Sequence, residues 1–172
     1  PTPGHYLVAG MRGAQTNVSD GYAWIAEVDL TGSQPKIVAE GTCKRPVFNM
    51  PLRPHVELPL ANGGWLVAGN GKADFGNDQD SATHCRLDAN LKQVGDLETW
   101  YIGVSYSQGF VGPNGQLYLY MLRSHTMFPQ KAVRVLAADG TALSVTDLPS
   151  TLQQVVDTKD GWLGAESAAQ AG

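Results

Sequence analysis

The sequence predicts an all-β protein made of repeated antiparallel four-stranded units, a β-propeller or part of one, and three observations predict it. Apolar and polar residues alternate with period two over several segments; this is the strand signature, and no stretch of similar length carries the 3.6-residue period of a helix. Turn formers are plentiful, with 20 Gly and 10 Pro in 172 residues, so the elements are short. Two local patterns also recur in alternation along the chain.

The first pattern is an apolar residue, a Gly/Asn/Asp turn and an apolar strand. It appears at Leu60-Ala61-Asn62-Gly63-Gly64-Trp65-Leu66-Val67-Ala68, at Val111-Gly112-Pro113-Asn114-Gly115-Gln116-Leu117-Tyr118-Leu119 and at Val156-Asp157-Thr158-Lys159-Asp160-Gly161-Trp162-Leu163-Gly164. Such turn residues tolerate the positive φ of tight hairpins. Gly64, Gly115 and Gly161 are spaced 51 and 46 residues apart. His5-Tyr6-Leu7-Val8-Ala9-Gly10 looks like an earlier copy of the same strand, matched to Trp65-Leu66-Val67-Ala68-Gly69.

The second pattern is an alternating strand that runs into a turn and resumes as another strand. Trp24 to Gly32, Thr83 to Leu91 and Ala132 to Gly140 carry it, resuming at Lys36-Ile37-Val38-Ala39, at Lys92 to Leu97 and at Ala142 to Leu148. A unit of about 46 to 59 residues is the size of a four-stranded propeller blade. With inner strands near residues 6, 65, 117 and 162, the units fall near 5–58, 59–110 and 111–155, and an incomplete fourth starts at 156. Propellers close on themselves, so a partner is expected to complete the array: a second polypeptide, another copy of the chain, or the rest of a precursor cut near Gly172. A two-sheet sandwich is the alternative architecture.

The words Ala26-Glu27-Val28-Asp29-Leu30-Thr31-Gly32 and Arg86-Leu87-Asp88-Ala89-Asn90 resemble the strand, Asp-turn, strand hairpins of propellers from bacterial exported proteins. These include quinoprotein-type propellers and the propeller subunits of quinone-dependent amine dehydrogenases. The resemblance implies a propeller subunit of a redox assembly. The tryptophan- and glycine-bearing consensus of the quinoprotein alcohol dehydrogenases is not met in full, and no cofactor-binding residue is assigned from it.

Twelve Lys and Arg against 16 Asp and Glu, with the basic residues scattered singly, argue against nucleic acid or anionic membrane as partners. No apolar run approaches a membrane span, and the opening Pro-Thr-Pro-Gly is unlike a signal peptide. Cys43 and Cys85 form an even pair in a Gly- and Asn-rich chain of low charge, a composition that fits a secreted or periplasmic protein. They read as a disulfide closing a long loop or as two small buried apolar groups.

Candidate sites are few. Asp74, Asn77, Asp78 and Asp80 share one Gly-bearing loop and offer oxygens of the kind calcium takes; a solvated acidic loop is the plainer reading. Arg53-Pro54-His55 and Arg123-Ser124-His125 repeat an Arg-x-His pattern beside an inner strand, which suits an anionic ligand or acid–base work at a channel mouth. Hydrogen-bonded structural histidines are the alternative. His5 and His84 lack a partner at zinc spacing. Trp65 and Trp162 match one another, which points to core. Trp100, Tyr101, Tyr106, Tyr118 and Tyr120 fit either sugar stacking or core. Ser105 and Ser107 lie in no nucleophile elbow, and no phosphate loop is present. The function expected first is a scaffold or binding subunit; a hydrolase or lactonase, and a carbohydrate-binding module, follow.

Overall fold

Four turns of one construction set the fold. In Leu60–Gly64, Asp88–Lys92, Gly112–Gln116 and Ala137–Thr141, the first residue's N–H donates to the fifth residue's carbonyl and the fourth residue's N–H donates to the first residue's carbonyl, all at 2.8–3.0 Å. The fourth residue is left-handed in each: Gly63 (φ 83), Leu91 (φ 59), Gly115 (φ 77) and Gly140 (φ 85). Asn62, Asn114 and Asp139, at the third position, accept the fifth residue's N–H at 3.1, 3.1 and 2.9 Å. Leu91 is the exception to glycine. Its turn is braced by Asp88, whose carboxylate accepts the Asn90 and Lys92 amides at 2.8 and 2.9 Å, and its side chain is buried in the core.

The computed structural model describes residues 3–12, 22–44, 52–72, 80–102, 104–123, 131–148, 152–158 and 161–166. Among them there is no helix, and thirteen strands form four antiparallel sheets in chain order. The first sheet is β1 (His5–Arg12), β2 (Tyr22–Asp29) and β3 (Lys36–Cys43). The second is β4 (Arg53–Pro59), β5 (Trp65–Lys72), β6 (Asp80–Leu87) and β7 (Gln93–Ile102). The third is β8 (Val104–Val111), β9 (Leu117–Arg123), β10 (Lys131–Leu136) and β11 (Ala142–Asp147), and β12 (Leu152–Thr158) pairs with β13 (Gly161–Glu166). The protein is all-β, a propeller-like series of meander sheets.

The sheets begin one strand earlier than the sequence repeat suggests. The strands at residues 65, 117 and 162 are second in their sheets, behind β4, β8 and β12, so the sheets span 53–102 and 104–147 rather than 59–110 and 111–155. The reason is the tight turn itself: Leu60–Gly64 leaves β4 no route except back along β5. The phase of a repeat cannot be read from its period.

The first sheet packs on the second and the second on the third. Leu66 and Ala68 of β5 face the third sheet with Leu117, Leu119 and Met121, while Val67 faces the first sheet with Ala23 and Ile25. All three β5 residues are buried, which explains the unbroken apolar run Trp65-Leu66-Val67-Ala68: a strand covered on both faces has no polar side to alternate with. β3 and β11, last in their sheets, are mostly exposed. The seam between the first two sheets is also stitched covalently, because Cys43 of β3 and Cys85 of β6 form a disulfide with Cα atoms 6.0 Å apart. Beside it, Gln93 accepts the Lys44 amide at 2.7 Å and donates to the Lys44 carbonyl at 2.9 Å. A β-carbon on Gly41 would collide with the Leu91 carbonyl, so β3 approaches the second sheet backbone to backbone.

The opening strands of the last three sheets share a defect. Register shifts fall between Pro54 and Val56 in β4, between Tyr106 and Gln108 in β8 and between Leu152 and Gln154 in β12. His55, Ser107 and Gln153 are therefore bulged at equivalent positions, and a bulge bends its strand and sharpens the local twist.

Candidate functional site

The repeat aligns the sheets residue by residue. Tyr6, Trp65 and Leu117 each lie two residues past a left-handed glycine and pair with Val28, Leu87 and Leu136. Counting back from these partners equates Ile25, His84 and Val133; Ala26, Cys85 and Arg134; and Glu27, Arg86 and Val135. Two members of otherwise apolar columns, His84 and Arg134, are charged or ionisable. They meet across the seam between the second and third sheets.

His84 and Arg86 alternate on β6 and therefore share a face. Glu98 lies directly opposite His84 on β7. The Glu98 carboxylate is the hub: it lies 3.3 Å from His84 Nε2, 3.4 Å from Arg86 Nη2 and 3.7 Å from Arg134 Nη2. Arg134 Nη1 donates to the Tyr106 hydroxyl at 2.9 Å, and the Tyr106 ring stands edge-on to His84 with centroids 6.2 Å apart. His84 is fully buried, whereas the Glu98 side chain is 37% exposed, so the group opens to solvent on one side only.

Burial, then the charges of Arg134 and Arg86, push the His84 imidazole down to about 3. It is neutral at physiological pH. Nε2 approaches Glu98 without the direction of a hydrogen bond, and Nδ1 has no hydrogen-bond partner among the described residues. Burial raises Tyr106 despite the neighbouring guanidinium of Arg134. Near neutral pH the imidazole is thus uncharged and the phenol protonated. Two guanidiniums sharing one carboxylate are a weak source of stability, since apolar replacements of buried ion pairs are commonly neutral or better. What the group can do is fix how the two sheets meet, because each cation has its counter-charge in one register.

The other candidates are placed as follows. Arg53 and His55 are exposed on β4, with His55 on the bulge. Arg123 ends β9, but its side chain and the whole of His125 lie outside the described residues, as do Asp74, Asn77 and Asp78. Asp80 opens β6; its side chain, with those of Trp100 and Tyr101, is likewise outside them. Among the described residues no three His, Cys, Asp or Glu side chains gather as a metal site. Of the tyrosines, Tyr106 and Tyr120 are buried in core clusters and Tyr118 stacks on Phe110 at 5.2 Å, so packing occupies them. Among the described residues no helix is long and apolar enough to cross a membrane.

The first sheet presents a different surface. Tyr6, Val28 and Ile37 form one cross-strand row, and Tyr6 and Ile37 are 57% and 51% exposed. Val8, on the same side of β1, is 45% exposed, whereas its equivalents Val67 and Leu119 are both at 0%. Sequence reasoning missed both features: the network joins residues of different sheets, and exposure of a repeat position is a property of its neighbour. A polar residue in an apolar column, His84 against Ile25 and Val133, is the signal that would have marked the network. Compared with known proteins, the chain matches no family model and no curated protein.

Proposed function

We propose that this chain is an exported scaffold or binding subunit, onto whose first sheet a further sheet of the same construction packs to extend a propeller-like array. The observation that carries this reading is the contrast along one repeat column: Val67 and Leu119 are wholly covered by the preceding sheet, and Val8 is 45% exposed. An apolar row of Tyr6, Val8 and Ile37 is what a sheet offers to another sheet, and exposed apolar patches mark such contacts. Export is supported by the Cys43–Cys85 disulfide, which persists in oxidising compartments. Where the assembly is an oxidoreductase, this chain serves it as the scaffold or binding subunit.

Native mass spectrometry tests this. A mass above the 18.3 kDa of one chain, shifted toward the single chain by Val8→Glu, is the expected result. The denatured masses then distinguish a second copy from a different polypeptide. A single chain that stays monomeric at high concentration, with Val8→Glu changing nothing, refutes the reading.

A further inference from the structure

A cleft of about 470 Å³ lies where the first sheet meets the second, bounded by Glu27, the Leu60–Gly64 turn, Trp65 and Ala89. It is separate from the exposed apolar row and from the His84 network. One departure in the repeat lies at its edge. The residue equivalent to Glu27 on the second sheet is Arg86, whose stem lies over Gly140 so closely that a β-carbon there would come within 2.9 Å of Cδ. At this place in the repeat the later seam carries a long guanidinium side chain and the earlier one a shorter glutamate.

The lining has a definite chemistry. Four amide hydrogens of the turn are already engaged: Leu60 with the Gly64 carbonyl, Ala61 with Ala138, Gly63 with Leu60, and Gly64 with the Asn62 side chain. The same bonds occupy the Leu60 and Gly64 carbonyls, and the Ala61 and Gly63 carbonyls receive no backbone donor among the described residues, so these two are the acceptors the turn offers a ligand. Glu27 is the charged residue of the wall, and His5 holds its carboxylate from behind through Nδ1 at 2.7 Å, with Asp29 3.9 Å from the other ring nitrogen. Trp65 adds an indole, and Leu60 and Pro59 add apolar wall. Carboxylate, carbonyls and an aromatic ring together suit a cation that carries its own N–H donors: the carboxylate forms charge-assisted hydrogen bonds, the indole contributes a cation–π attraction, and the apolar wall packs the alkyl stem.

We propose that this cleft binds an alkylammonium or alkylguanidinium group, either a small amine or the end of a Lys or Arg side chain. The test is a titration of the intact chain, followed by amide and indole NMR shifts, with n-butylammonium, n-butylguanidinium and uncharged 1-butanol as probes. Expected are shifts at Gly63, Gly64, Ala89 and the Trp65 indole with the cations and none with butanol, and a loss of affinity of about tenfold or more in Glu27→Gln, as for a charge-assisted bond worth about 1.5–3 kcal/mol. Ala89→Leu, which narrows the cleft and leaves the carboxylate in place, should weaken binding as much, and it carries the test alone if Glu27→Gln does not fold. Lysine- and arginine-bearing tripeptides as further probes separate the two sources, by binding more tightly or less tightly than the free amines. Absence of shifts with both cations, equal shifts with butanol, or unchanged affinity in a folded variant would overturn the proposal.

Discussion

Leu91 is where local backbone cost and packing can be measured against each other. It takes the left-handed conformation, φ 59, that glycine takes in the three sister turns. A non-glycine residue there costs about 1–2 kcal/mol. The side chain is 2% exposed in the cluster between the first two sheets, and truncating a buried leucine costs about 2–5 kcal/mol. Packing should therefore win. Leu91→Ala loses the packing and keeps the strain, so it should destabilise by about 2–5 kcal/mol, whereas Leu91→Gly also releases the strain and should be about 1–2 kcal/mol more stable than Leu91→Ala while remaining below the parent. Gly63→Ala calibrates the backbone term alone: the nearest atom to an added β-carbon is Ala89 Cβ at 3.7 Å, an ordinary contact, so the change should cost about 1–2 kcal/mol. Urea unfolding midpoints at fixed pH provide all three values. A Leu91→Gly protein as stable as the parent, or no more stable than Leu91→Ala, would refute the reasoning.

Two further outcomes follow from the same seams. The disulfide closes a loop of sequence separation 42, so replacing Cys43 and Cys85 together by alanine should cost about 2–4 kcal/mol, and a reductant should lower the melting temperature of the parent but not of the double variant. The His84 imidazole, pushed from 6.5 down to about 3 by burial and by Arg134 and Arg86, makes the unfolded chain bind more protons than the folded one between those values. Stability is then lost as pH falls below about 6.5, by up to about 2 kcal/mol by pH 5 at roughly 1.36 kcal/mol per unit; His84→Ile, which installs the residue of the first sheet, should flatten that part of the pH–stability curve, and a curve of unchanged slope would count against a buried neutral imidazole.

What the sequence disclosed was whatever depends on neighbours along the chain. Asn62-Gly63-Gly64 and Asn114-Gly115-Gln116 are turns by their own chemistry, and Trp65-Leu66-Val67-Ala68 reads as an apolar strand. Cys43 and Cys85 pair, one of the two readings their number allowed. What stayed hidden depends on contacts between sheets. The left-handed Leu91 carries no turn signal and is held by a core assembled from both sides of a seam. His84 looked like an isolated histidine because Arg134, 50 positions on, reaches it from another sheet. Trp65 was read as core and is partly so, yet it also walls a cleft shared with Glu27 of another sheet. The start of each sheet was hidden for another reason: β4 carries Pro54 and a bulge at His55, which break the alternation that would have marked it as an opening strand.

That bulge, recurring at His55, Ser107 and Gln153, has a consequence for where substitutions act. At these three sites the bend is built from local backbone rather than imposed by the sheets alongside. A change that closed one bulge would act first on its own strand and that strand's pairing, and on the neighbouring sheets only through it.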